Sequence, residues 1–286
     1  MCGIFGYIGS GIIDNNKLNE LSTESYKLNN RGPDDRGVFF KKNIYLSFFR
    51  LAINDLSENG NQPLWSNDSK ITLICNGEIY NWKILKENNN YNLSSASDCE
   101  IIIHLYKQYG FHKTIEMLDG VFACILIDWS DSEPIIHVAR DPIGVRPLFI
   151  GNKNKDVMFA SEMKSIDKLA DKIEQFPPGS IWCNKNNEYI KYYNPDIIYS
   201  YTNTPDAVVK VDDILCSIKT HFINAVDKRL MSERPIGCLL SGGLDSSLVA
   251  ALLSKKIKNL RTFSIGLKGA TDLIYAKKVA DHIDSV

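Results

Sequence analysis

Met1-Cys2-Gly3-Ile4-Phe5-Gly6-Tyr7-Ile8 opens the chain and governs how the rest is read. A thiol stands one residue from the start. Removal of Met1 would leave a free α-amine on the nucleophile's own residue, and such an amine titrates near ~7.7–8.0. It can take the thiol's proton near neutral pH without a histidine, as terminal threonine nucleophiles do. Gly3 leaves the approach open, and Ile4–Ile8 reads as a first strand. Taken alone, Cys2 also reads as a small residue entering that strand. Residues further along decide between the two.

Outward from this opening, short apolar runs recur between turn signals: GVFF (37–40), IYLSFF (44–49), ITLIC (71–75), VFACILI (121–127), IIHVA (135–139), VMFA (157–160) and SIWC (180–183). Their lengths are those of strands. Helices are expected at Asn16–Asn29 and at Asp98–Tyr109, the latter N-capped by Ser97. Many strands and few helices predict an α+β unit over residues 1–200, with stacked antiparallel sheets and helices on their faces.

Asn194-Pro195 through Thr204-Pro205 reads as a linker. Beyond it Val211, Ile214, Leu215, Ile218, Phe222, Ala225 and Val226 recur at helical spacing. A strand Ile236–Leu240, a helix from Ser246 to Lys256, a strand Thr262–Leu267 and a helix Leu273–Ile283 follow. This βαβα succession predicts an α/β unit over 206–286, the start of a parallel sheet. Two strands do not close such a sheet, so the segment reads as the front of a domain.

A chain of 286 residues fits two domains, and its 44% hydrophobic content supports sizeable cores. The net charge of −1 argues against nucleic-acid and membrane-surface partners. No apolar run is long enough to cross a bilayer, and no secretory signal is legible at the N-terminus. The seven cysteines form no CxxC pair and show no zinc spacing. A reducing cytoplasm is the expected compartment.

Arg31-Gly32-Pro33-Asp34, Arg50-Leu51-Ala52-Ile53, Asn76-Gly77-Glu78-Ile79-Tyr80-Asn81 and Ser97-Asp98, together with the opening, resemble the class II (N-terminal nucleophile) glutamine amidotransferases. ARDPIGVRPLF (139–149) and ASEMKSI (160–166) narrow the resemblance toward the asparagine synthetases. It implies a four-layer αββα sandwich of the Ntn-hydrolase type, with Cys2 attacking the side-chain amide of glutamine. The implied oxyanion donors are the Asn76 amide and the Gly77 N–H. The α-carboxylate falls to Arg50, the α-ammonium to Asp98 helped by Glu78, and the pocket lining to the backbone of Leu51, Ala52, Ile53 and Asn54. Taken alone, Asn76-Gly77 reads as a hairpin turn, and Arg50 and Asp98 as surface charges. The family pattern has histidines where this chain has Asn30 and Phe48, which bears on positioning rather than on reaction type.

Ser241-Gly242-Gly243-Leu244-Asp245-Ser246-Ser247 follows an apolar strand. Its glycines let backbone N–H groups turn inward, and the helix behind it favours anions at its N-terminus. It is neither a Walker loop nor a dinucleotide fingerprint. SGGxDS resembles the pyrophosphate loop of ATP pyrophosphatases. The resemblance implies ATP as substrate, with Leu240 and Ile265 on the adenosine and Asp245 on Mg²⁺. Alone, Asp245 also reads as an N-cap.

Joined, the two resemblances imply glutamine, aspartate and ATP as substrates and a homodimer for the complete enzyme. An enclosed passage for ammonia between the two sites is also expected. Asparagine synthetases run to about twice this length by the same resemblance, so this chain is expected to hydrolyse glutamine without making asparagine. The competing readings are another class II amidotransferase, and an idle fragment that binds ATP or a partner.

Overall fold

The computed structural model describes residues 1–194 and 210–286. The chain divides into two compact units, Met1–Tyr201 and Thr202–Val286. Apart from Asn194, the expected linker lies outside the described residues, and so do the expected boundaries at 200 and 206.

The first unit holds two antiparallel six-stranded sheets. One runs in the order β10 (Lys172–Gln175), β8 (Phe149–Lys153), β9 (Asp156–Ala160), β1 (Gly3–Ile8), β3 (Ile44–Arg50), β2 (Asp35–Lys41). The other runs β12 (Glu188–Lys191), β11 (Ser180–Cys183), β7 (Ile135–Arg140), β6 (Gly120–Asp128), β5 (Ile71–Ile79), β4 (Leu64–Trp65). Strand alternation sorts the side chains into three apolar layers. Ile4, Leu46, Phe48, Ile74 and Ile125 meet between the sheets. Phe5, Tyr45 and Phe49 point the other way, against Leu21 of α1 (Asn15–Tyr26). Leu73, Cys75 and Cys124 pack under α3 (Ile101–Tyr109) and α4 (Phe111–Met117), and Leu85 of α2 (Trp82–Asn89) joins the same layer. The result is the expected αββα sandwich. Burial on both faces is why β3, β5 and β6 read as continuous apolar runs rather than alternating ones.

Three local expectations differ from the structure. α1 ends at Tyr26 and is followed by a 3₁₀ turn at Asn29–Arg31. The chain must tighten there because Gly32 runs against β3, where a Cβ would stand 2.2 Å from the Phe49 carbonyl oxygen. The helix expected from Asp98 begins as a 3₁₀ turn, Asp98–Glu100, and Ser97 makes no side-chain cap. Asn76 and Gly77 neither form a turn nor follow the strand. They lie within β5, paired with Ala123 and Phe122 of β6.

In the second unit β13 (Gly237–Leu239) and β14 (Arg261–Phe263) pair in parallel, with Cys238 opposite Thr262. Both are shorter than expected. α5 (Val211–Lys228), α6 (Leu244–Ser254) and α7 (Thr271–His282) accompany them. The core gathers Val226, Cys238, Leu240, Ala250, Leu253 and Ala276. Of the apolar stripe expected along α5, only Val226 is buried, while Val211, Ile214, Leu215 and Ile218 are exposed.

Candidate active site

Cys2 enters β1 on the side of Ile4, so its side chain packs against the layer between the sheets. Its Sγ accepts the Leu51 N–H at 3.3 Å and lies 3.5 Å from the Leu51 carbonyl oxygen, to which it donates. The Cys2 carbonyl accepts Arg31 Nε–H at 2.8 Å, and Arg31 Nη1 pairs with Glu162 at 3.0 Å. Ser161 Oγ accepts the Ile4 N–H at 3.0 Å. Asp34 accepts the Ala52 N–H at 2.8 Å and donates its own N–H to the Arg50 carbonyl at 3.0 Å. The RGPD and ASEMKS stretches thus act as buttresses, holding the strand that carries Cys2 and the Arg50–Ala52 segment in place.

β5 supplies the facing wall. Its pairing with β4 stops at Leu73, which leaves the rest of that edge open. Gln62 occupies part of it, accepting the Cys75 N–H at 2.6 Å and donating to the Cys75 carbonyl at 3.1 Å. Two residues on in the same parity come Gly77 and then Ile79, whose N–H donates to Asp98 Oδ2 at 2.6 Å. The alternation of an antiparallel strand therefore turns the Gly77 N–H to the same open edge. A Cβ on Gly77 would stand 2.6 Å from Phe122 Cβ, so the strand pair fits only glycine there. Asn76 shares the parity of Ile74 and faces the layer that receives Cys2. Its amide nitrogen is buried without a hydrogen-bond partner.

One pocket brings these groups together. Cys2, Arg50, Leu51, Ile53, Asn54, Asn76, Gly77, Glu78 and Asp98 all line it. Ala52 does not; its N–H is engaged by Asp34. Arg50 is buried, with its guanidinium donating to the carbonyls of Ser57 and Asp55 and to Asn61. It is tucked against Gly60, where a Cβ would stand 2.3 Å from Arg50 Nη2. Asp98 is 4% exposed. Burial raises its carboxyl to about 6, against the Ile79 N–H and the Asn54 amide, which favour the ionised form. Burial also pushes the Cys2 thiol up, opposed by the Leu51 N–H and by the positive charges of the N-terminus and Arg146.

Sequence reasoning missed several lining residues: Phe48, Gly60, Gln62, Ser97, Cys99 and Arg146. Arg146 was within reach, because it sits in the ARDPIGVRPLF stretch. Asp141 accepts the Val145 and Arg146 N–H groups at 2.8 and 2.9 Å and so bends this stretch into the pocket. Arg146 Nη2 then meets Glu78 at 3.1 Å. Gly60 and Gln62 gave no signal, since only the folded loop returns them to β3 and β5. Of the two positions where the family pattern has histidine, Phe48 is buried in the pocket wall, whereas Asn30 is exposed.

In the second unit Ser241–Gly243 forms a short loop, and Leu244–Ser247 is the first turn of α6. Gly242 has φ +79°, and a Cβ there would stand 2.4 Å from the Ala276 backbone nitrogen. Gly243, not Asp245, is the N-cap, which is why the helix starts at Leu244 instead of Ser246. Ser246 and Ser247 donate to the Gly243 carbonyl at 3.2 and 2.6 Å, and the Ser241 and Ser246 hydroxyls lie 2.9 Å apart. Leu240 is buried beneath the loop and Ile265 is 97% exposed. Asp245 is an exposed acid in the first turn of α6. A single carboxylate beside an anion-favouring helix N-terminus fits Mg²⁺ arriving with a nucleotide, because Mg²⁺ takes one or two carboxylates plus phosphate oxygens and water.

Residues 1–191 match the glutamine amidotransferase domain family, and residues 217–286 match the asparagine synthase family. Asparagine synthetase [glutamine-hydrolyzing] 2 of Oryza sativa subsp. japonica is 40% identical over 299 residues, covering 100% of this chain and 49% of the relative. The enzyme of the same name from Arabidopsis thaliana is 40% identical over 297 residues, covering 99% and 49%. The chain thus spans about half the length of these curated relatives. Among solved structures, the glutamine phosphoribosylpyrophosphate amidotransferase of B. subtilis, complexed with ADP and GMP, superposes with a TM-score of 0.58 at 21% identity. That alignment covers 92% of this chain and 65% of the other, and it speaks for the fold alone. On the match over residues 1–191, the chain belongs to the glutamine amidotransferase domain family, and an asparagine synthase match accompanies it over residues 217–286.

Proposed function

We propose that this chain is the glutaminase part, with a portion of the ATP site, of a glutamine-hydrolysing asparagine synthetase. With Met1 removed, the Cys2 amine takes the thiol proton and the thiolate attacks the amide carbon of glutamine. Asn76 Nδ2 and the Gly77 N–H hold the oxyanion. Collapse expels ammonia, which carries off the proton taken by the amine and leaves a thioester on Cys2. Water then hydrolyses the thioester to glutamate and frees the thiol. Arg50 takes the substrate's α-carboxylate, and Asp98 with Glu78 takes the α-ammonium.

The Ser241–Ser247 stretch would hold the phosphates of ATP, with Leu240 and Ile265 toward the adenosine and Asp245 on Mg²⁺. Aspartate would be activated as its β-aspartyl adenylate and attacked by the ammonia, giving asparagine, AMP and pyrophosphate. No helix among the described residues is long and apolar enough to cross a membrane. All seven cysteines are free, which supports a reducing cytoplasm as the compartment.

The observation that carries this reading is the Asn76 amide nitrogen, buried without a partner in the pocket lined by Cys2. A buried donor left unpaired costs about 1–3 kcal/mol, and an oxyanion formed at the nucleophile is a ligand that would satisfy it. Release of glutamate from glutamine, with Cys2→Ala as the control, tests the assignment.

A further inference from the structure

Asn76 is not the only buried donor left unpaired in this pocket. Arg146 Nε is also buried without a partner, and Arg146 lines the same pocket. Its backbone is fixed from both sides: the N–H donates to Asp141 at 2.9 Å, and the carbonyl accepts Arg140 Nε–H at 2.8 Å. Asp141 is fully buried and anchored in turn to Phe122 of β6 by its own N–H at 2.8 Å. The loop therefore delivers a guanidinium to a set place at the edge of the pocket. One arm of that guanidinium grips Glu78 at 3.1 Å, both side chains being largely buried, where an ion pair is less screened than at the surface.

We propose that Arg146 is a positioning residue of the glutaminase site, which fixes the Glu78 carboxylate toward the substrate and sets a permanent positive charge beside the nucleophile. This rests on the glutaminase reading above. Without Arg146, Glu78 would be a lone carboxylate on β5, free to turn away from the substrate's α-ammonium.

The charge has a second effect. With Met1 in place the terminal amine is that of Met1: burial presses its pKa down, as do Arg31 and Arg146, while Cys2 and Glu78 press it up. Once Met1 is removed, a fixed positive charge disfavours the ammonium of the Cys2 amine in the same sense. Arg146 also favours the Cys2 thiolate. A neutral amine and an ionised thiol are the forms the attack requires. Both effects of Arg146 therefore act in the same direction.

The test uses the full chain with Met1 removed, confirmed by intact mass, as wild type, Arg146→Gln and Arg146→Lys. For Arg146→Gln we expect KM for glutamine to rise about tenfold and the acid limb of kcat/KM to move up by about one pH unit. Arg146→Lys should restore the pH profile while recovering KM only in part, because an ammonium carries the charge without the fork. Glu78→Gln combined with Arg146→Gln should be no worse than the poorer single variant. Alkylation of Cys2 by iodoacetamide, followed by peptide mass, reads the charge without turnover: its pH midpoint should rise in Arg146→Gln and not in Arg146→Lys. An unchanged midpoint and unchanged kinetics in Arg146→Gln would overturn the proposal. So would equal losses in both variants accompanied by equal falls in unfolding temperature, which would mark Arg146 as structural. Should the wild type release no glutamate, the glutaminase reading fails by itself and the alkylation midpoints still decide the charge.

Discussion

Asp98 Oδ2 accepts the backbone N–H of Ile79 at 2.6 Å, so the carboxylate we propose for the substrate's ammonium also caps the open edge of β5 two residues beyond Gly77. Burial raises that carboxyl to about 6, while a free aspartate sits near ~3.9. The ionised form, needed to bind a cation, is lost as pH falls through about 6. We therefore expect kcat/KM for glutamine to lose a further factor of roughly ten per pH unit below that point, on top of the loss from protonation of the amine and thiol.

For stability the sign is opposite. A carboxyl whose pKa is raised on folding favours the fold when protonated and disfavours it as pH rises from about 4 to about 6. The cost at neutral pH is about 3 kcal/mol. Asp98→Asn should abolish glutamine turnover yet unfold at no lower temperature than wild type at pH 7.5, as read by kinetics and calorimetry on one sample.

Asn76→Ala removes a buried donor that has no partner in the free protein. Removing an oxyanion donor costs ~10²–10³ in kcat, whereas the resting fold loses no hydrogen bond made by that donor. The expected outcome is a large fall in kcat with little change in KM, and an unfolding free energy within about 1 kcal/mol of wild type.

Gly60→Ala places a methyl where Arg50 Nη2 now lies, 2.3 Å from the built Cβ. The guanidinium must give way, and with it the fork presented to a carboxylate. We expect KM for glutamine to rise about tenfold or more while iodoacetamide still alkylates Cys2 at its wild-type rate.

Gly242→Ala faces two obstacles, φ +79° and a Cβ 2.4 Å from the Ala276 nitrogen. It should destabilise the second unit by about 2 kcal/mol or more and weaken ATP binding. Glutamate release should persist, since Gly242 lies outside the pocket that holds Cys2.

Much of this site was legible because its chemistry-bearing residues sit in short contiguous stretches. Cys2, Asn76-Gly77-Glu78 and Ser97-Asp98 each read as a unit, and alternation along β1 and β5 does the rest. What the sequence hid was long-range. Gly60 serves a guanidinium ten residues earlier in the chain, and Gln62 stands in for a missing strand beside Cys75. The turn reading of Asn76-Gly77 lost because glycine there serves close packing on Phe122, not a positive φ. The α5 stripe showed the limit of periodicity: it fixed the helix correctly but did not determine how much of its apolar face the described residues bury.

Every assignment in the glutamine pocket depends on Cys2 being the nucleophile of a glutaminase. The most direct test of that role is glutamate release from glutamine by the purified 286-residue chain, freed of Met1, beside Cys2→Ala. Release is expected from the first and none from the second. Equal release in both, or none from folded chain with a free Cys2 amine, would contradict that role.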